Sequence, residues 1–123
     1  MHNFRNLKVW QKAIELSTKI YSLTKNFPAE EKFGIISQIR RAAVAIASNI
    51  AEGAGRNSEK EFCYFLQVSL GSSYEMETQI VIAGNLNFLN DEAFNDTIIS
   101  ITEIKRMISG FQKSMENQIK VHA

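Results

Sequence analysis

At 123 residues the chain is long enough for one domain around a single core, and 45% hydrophobic content with one proline and six glycines excludes a disordered or all-β chain. No run nears the roughly 18 apolar residues needed to cross a bilayer, and the opening MHNFRNLKVW lacks the apolar segment of a signal peptide. The net charge of +1 hides a division: residues 1–57 hold nine Lys/Arg against four Glu, and residues 58–123 hold five Lys/Arg against nine Asp/Glu. Such a division suits two helical hairpins attracting each other, or a basic face free for a polyanion.

The first helix is expected over about 5–25. Two neighbouring stripes, Leu7–Trp10–Ile14–Ser17–Tyr21–Thr24 and Val9–Ala13–Leu16–Ile20–Leu23–Phe27, form one wide buried face, with Lys8, Lys12, Glu15, Lys19 and Ser22 opposite. Phe27-Pro28 ends it, because proline disfavours helical geometry in the residue before it. Pro28, Glu30 and Glu31 then suit the first turn of a second helix over about 30–54.

That second helix organises the chain. Ile36, Ile39, Ala43, Ile46 and Ile50 form its seam, and the alanines at 42, 45, 47, 51 and 54 make most other positions small and apolar, so it is expected to be covered on nearly every side. It closes on Gly53 or Gly55 as a glycine cap. Ser58 and Glu61 read as a capping box for a third helix over about 59–86, with the seam Phe62, Leu66, Ser69, Ser73, Met76, Ile80 and Ala83. Its serines and Gly71 leave room for a close neighbour. Asn90 or Asp91 caps a fourth helix over about 91–117, carrying Phe94, Ile98, Ile101, Ile104, Ile108, Phe111 and Met115, and the polar tail beyond is expected to fray.

Four amphipathic helices with short connections make an all-α, up-down-up-down four-helix bundle in a single domain, 1–123. The turn near residue 56 sets Arg40 and Arg41 opposite Ser72 and Gly71, with Glu75 about one turn away. Arginine and glutamate are rarely buried alone, so an Arg41 (or Arg40)–Glu75 pair is the expected centre of a structural polar network of Gln38, Arg40, Arg41, Asn49, Glu52, Glu75 and Gln79.

Catalytic chemistry finds little here. Cys63 has no histidine to activate it, since His2 and His122 stand at the two ends, and it reads as a core thiol. A lone cysteine cannot make an internal disulfide, which points to the cytoplasm. No Glu-x-x-His repeat supports a di-metal site, and the glycines of Gly53-Ala54-Gly55 follow a helix rather than the strand a phosphate loop requires. No catalytic residue, metal or cofactor is expected, and the chain reads as a non-enzyme.

QIRRAAVAIASNIAEGAGR, with FPAEEKFG before it and SEKEFCYFL and GSSYEMETQ after it, resembles the bacterial four-helix-bundle proteins encoded by intervening sequences of 23S ribosomal RNA genes. The resemblance spans about residues 3–115, including KVWQKA in the first helix, and extends to the accessory protein of diversity-generating retroelements. It implies a four-helix protomer, a ring-shaped homopentamer and nucleic-acid binding without catalytic residues. Where family members often carry a proline in SIPSNIAEG, this chain has Ala47, so its second helix is expected to be straighter; it is also less basic than members proposed to grip nucleic acid.

The resulting expectation is a non-enzymatic oligomer that binds structured RNA or an RNA-handling partner, with no membrane association. The phosphate contacts would come from Arg5, Lys8, Lys12, Lys19, Lys25 and Arg56, because the central arginines are committed to carboxylates. The alternative is a protein–protein adaptor or scaffold without nucleic-acid affinity.

Overall fold

The computed structural model describes residues 2–122. After a 3₁₀ turn at Phe4–Asn6, four helices follow: α1 (Lys8–Thr24), α2 (Ile35–Ala54), α3 (Glu59–Asn85) and α4 (Asp91–His122), with a second 3₁₀ turn at Ala29–Glu31. They form a four-helix bundle. Each helix packs on its chain neighbours and α1 closes the square on α4, while α1 and α3, like α2 and α4, stand across the diagonals. Among the described residues no helix is long and apolar enough to cross a membrane.

The seams are where the periodicity puts them. All five seam residues of α2 and all seven of α3 are buried. In α1 only the Val9–Ala13–Leu16–Ile20–Phe27 stripe reaches the core. The other stripe lies at its edge, with Ile14 and Tyr21 exposed and Thr24 buried.

The element boundaries correct the sequence reading in three places and decide a fourth. α1 begins at Lys8 rather than residue 5, because Asn3 Oδ1 accepts the Arg5 N–H at 3.3 Å and caps a separate turn. α2 begins at Ile35 rather than residue 30: Pro28 opens only a 3₁₀ turn, and the non-helical backbone of Gly34 breaks it from the helix. Glu31 Oε1 then accepts the Ile35 N–H at 3.4 Å. α4 runs on to His122, with Met115 buried and Ile119 half-buried continuing its apolar stripe, so the expected fraying after residue 117 is not seen. Of the two candidate caps of α4, Asn90 is the one used, its Oδ1 accepting the Ala93 N–H at 2.8 Å.

Half of the capping box forms: Ser58 Oγ accepts the Glu61 N–H at 3.1 Å, while Glu61 Oε2 accepts the Ser58 hydroxyl at 3.1 Å rather than the Ser58 backbone N–H. α3 ends differently from α2. Asn87 sits at φ 60°, the Asn87 N–H donates to Gly84 O and the Phe88 N–H to Ala83 O, both at 3.0 Å. This is a Schellman closure with asparagine in the left-handed position usually given to glycine.

Of the two candidate glycine caps of α2, Gly55 is the one used, and Gly53 has another role. Gly55 is the C-cap residue but in right-handed geometry, and Gly53 lies inside the helix. A Cβ on Gly53 would fall 2.7 Å from Phe65 Cβ and 2.9 Å from Phe62 Cδ1. Gly53 is therefore required by the close approach of α2 to the first turns of α3. Gly71, by contrast, is exposed, and a Cβ there would meet nothing within 4 Å, so no helix of the same protomer uses its smallness.

Hydroxyl groups tie α2 to both neighbours. Ser17 Oγ donates to Ala43 O at 3.0 Å, and the buried Ser69 Oγ donates to Ile46 O at 2.8 Å. Each satisfies itself on a backbone carbonyl across the interface, so a polar atom enters the core without being orphaned.

Gly53→Ala should lower stability by about 1–3 kcal/mol through overpacking against α3. Gly110→Ala in α4, where the added Cβ meets open space, should raise it by about 0.5–1 kcal/mol. Urea unfolding followed by circular dichroism compares the two; equal and opposite signs from those stated would contradict this packing.

Candidate nucleic-acid interface and polar concavity

The seven polar residues expected to form one network separate into four groups. Arg40 turns away from α3 toward α1. Its Nε donates to the buried Thr24 Oγ1 at 2.9 Å, its Nη2 to Tyr21 O at 3.3 Å, and its guanidinium lies 4.6 Å from the Tyr21 ring centroid. Asn49 donates to Ala45 O in its own helix at 2.8 Å. Glu52 is exposed and pairs with Arg56 at 2.7 Å, one helical turn on. The expected Arg41 (or Arg40)–Glu75 ion pair does not form: Arg41 and Glu75 are both exposed, and no such pair occurs among the described residues.

The physical reason is the smallness of α2. With alanine at so many positions its outer surface is set back between α1 and α3, so α2 is not covered on nearly every side. Gln38, Arg41, Val44, Ser48 and Glu52 are all exposed. Charges that would have been buried inside a wider bundle reach water instead, where pairing is worth little.

The remaining network residues do meet. Gln38 and Arg41 of α2 face Ser72, Glu75 and Gln79 of α3 across an open concavity of about 630 Å³. Ala42 and Ala45 complete its lining. Arg41 also borders the adjoining hollow between α1 and α2, which includes Tyr21, Arg40 and Val44. Gln79 is 7% exposed, its Nε2 donates to Glu75 Oε1 at 3.4 Å, and its own Oε1 is buried without a donor. An unsatisfied buried acceptor typically costs about 1–3 kcal/mol, which makes Gln79 the polar group of the core most in need of explanation.

The six cations expected to contact phosphate are also unequal. Lys12 bridges to Glu103 of α4 at 3.3 Å, across a groove of about 520 Å³ that Ile14, Lys19 and Ile104 help to line. Arg56 is held by Glu52 and rests 4.8 Å from the Phe65 ring centroid. Arg5, Lys8, Lys19 and Lys25 are exposed and make no ion pair among the described residues. The sequence reading missed a further pair, Lys105–Glu77, which is half-buried between α4 and α3 with Lys105 over the Tyr74 ring. Nothing in the local sequence signals it, since the partners are 28 positions apart.

Cys63 is half-buried, its Sγ 3.9 Å from Gln112 O. Burial raises its thiol above the ordinary value, with Glu116 and Glu59 adding to the shift, so the thiolate is disfavoured. Among the described residues no group of three or more His, Cys, Asp or Glu side chains is placed to hold a metal ion.

The fold and this surface define a helical protein whose first helix presents free cations and whose α2/α3 face presents an open polar hollow. Residues 5–110 match the family of 23S rRNA-intervening sequence proteins, and the chain belongs to that family. Among solved structures it is similar to a protein of unknown function from the S23 ribosomal protein family of Bacteroides thetaiotaomicron VPI-5482. That likeness has 25% identity and a TM-score of 0.80, over 85% of this chain and 95% of that one. No functionally curated protein matches the chain.

A double-mutant cycle separates the two arginines. Arg40→Met with Thr24→Val should show a coupling of about 1 kcal/mol or more, because a charged donor serves a buried hydroxyl. Arg41→Met with Glu75→Gln should be additive within about 0.5 kcal/mol. The reverse ranking, measured by denaturant unfolding, would restore the expected Arg41–Glu75 pair.

Proposed function

We propose that the chain is a non-enzymatic, cytoplasmic binding protein that acts as a homo-oligomer, a five-membered ring as the family resemblance implies, and holds structured RNA through α1. One observation carries the reading: Arg5, Lys8, Lys19 and Lys25 are exposed at α1 and its leading turn without a carboxylate partner among the described residues. Cations without an ion-paired carboxylate attract phosphates and repay them with counterion release, Glu15 being the one acid interleaved with them on α1. One protomer offers few such charges, and a ring repeats them on every subunit. Membership in a family named for sequences that intervene in 23S rRNA supports RNA as the polyanion.

Self-association is supported by α3. Between Lys60 and Lys105 there is no Lys or Arg at all. The outward side of α3 exposes Tyr74 at 56%, Val81 at 40% and Ile82 at 45%. These residues line one shallow hollow with Glu77 and Thr78. An apolar strip of this kind on a helix with few charges is suited to a protein contact, and it leaves α1 free for RNA.

One set of measurements tests both parts. Light scattering should show an oligomer at micromolar concentration, and Ile82→Glu should shift it toward monomer; a monomeric parent would overturn the assembly. Replacing Lys8, Lys19 and Lys25 together by glutamine should weaken binding to an RNA hairpin and lower the slope of log K against log salt by about 2, with the oligomer unchanged. Equal binding by parent and variant would overturn the α1 interface. Absence of RNA binding by either protein near ~50 mM salt would favour the adaptor reading.

A further inference from the structure

We infer that the concavity between α2 and α3 is a base-reading pocket that accepts one unstacked guanine through its hydrogen-bonding edges. The proposal deepens the RNA reading above and rests on it for the source of the base.

The pocket holds polar groups without a strong partner in the protein. Arg41 offers a planar fork of donors and has no carboxylate partner among the described residues. Facing it on α3, Glu75 offers carboxylate oxygens whose one internal partner is the long 3.4 Å contact from Gln79 Nε2. Behind Glu75, the Oε1 of Gln79 is buried with no donor. Gln79 Oε1 lies out of a ligand's reach, so the walls open to a ligand are Arg41, which takes acceptors, and Glu75, which takes donors.

A phosphate or a simple carboxylate satisfies only Arg41 and is repelled by Glu75. A simple cation satisfies only Glu75. Guanine meets both demands with one rigid ring: its O6 and N7 are a matched acceptor pair for arginine, and its N1–H and 2-amino group are adjacent donors for a carboxylate. Adenine presents an amino group where guanine has O6, which sets donor against donor at Arg41. Uracil and cytosine lack the N7 acceptor.

Size and position agree. The open volume of about 630 Å³ accommodates a base with its ribose, and the small side chains of Ala42 and Ala45 leave a shallow floor for a flat ring. Arg41 and Ala45 are shared with the hollow that contains Tyr21 and Arg40, where α2 meets α1. Tyr21 is 42% exposed and already carries the Arg40 guanidinium against its ring, an arrangement suited to stacking a neighbouring base.

The test is equilibrium dialysis of the intact protein against GMP, AMP, CMP and UMP. GMP should bind at least about 10-fold more tightly than AMP, in keeping with one good bidentate contact. Glu75→Gln and Arg41→Met should each reduce that preference toward unity, while Lys113→Gln, on α4 away from the pocket, should leave the ratio of GMP to AMP unchanged. Circular dichroism of each variant confirms that it is folded. Equal binding of all four nucleotides, or none of any, would overturn the proposal, as would a preference for GMP that survives both pocket variants.

Two short single-stranded RNAs differing by one central G or A locate the source of the base. Preference for the G strand supports a base delivered by RNA; a preference seen with GMP but not in the strands assigns the pocket to the free nucleotide. If the lysine triple variant loses RNA binding while GMP selectivity is absent in the parent, the pocket fails and the α1 interface stands. If GMP selectivity is present and RNA does not bind, the α1 interface fails and the pocket stands.

Discussion

The structure depends on how closely α2 and α3 approach. Gly53 lies against Phe62 and Phe65 with no room for a Cβ, and Ser69 donates directly to the Ile46 carbonyl in the middle of the contact. A close helix pair needs small residues at the crossing and a partner for every polar atom it buries, and this interface supplies both. Its register then decides everything on the outer surface. Because α2 is slim, α1 and α3 stand proud of it on either side, and the polar residues between them line hollows instead of filling a core.

That geometry accounts for the separate fates of two adjacent arginines. Arg40 is angled toward α1, where the buried hydroxyl of Thr24, its own proton on Ile20 O, accepts from it and the Tyr21 ring offers its face. Arg41, one residue on and so about 100° around the helix, points between α2 and α3 and reaches water before it reaches Glu75. Charge is partitioned in the same way around the bundle. Lys12 and Lys105 are spent on carboxylates of neighbouring helices, and the rest of the α1 row has none to meet.

Much of this was legible in the sequence, and the reasons it failed elsewhere are physical. The seams of α2 and α3 were readable because small and apolar residues at steps of three and four have one way to bury themselves on a helix. The N-cap bond of Ser58 to the Glu61 N–H was readable because it is local. The register predicted from the hairpin turn brought Arg41, Ser72 and Glu75 to one place, as found. What pattern alone could not supply was the depth of that place: burial of Arg41 depends on what flanks α2, and that is set by the widths of α1 and α3. Gly53 was singled out but assigned to a cap, since a glycine at a helix end reads the same whether the backbone turns there or a neighbour presses on it. The Schellman closure went unread because Asn87, not glycine, takes the left-handed position. The unpaired oxygen of Gln79 is a property of three-dimensional packing and has no signature in one dimension.

The central claim, that the unpaired cations of α1 are the surface a polyanion occupies, is tested most directly by lysine acetylation footprinting of the intact protein with and without an RNA hairpin. RNA should protect Lys8, Lys19 and Lys25 at low salt, and the protection should disappear as salt is raised. Lys60 of α3 and Lys113 of α4, exposed on other helices, should be modified equally in both states. Protection spread evenly over all the lysines, or confined to α3 and α4, would contradict it.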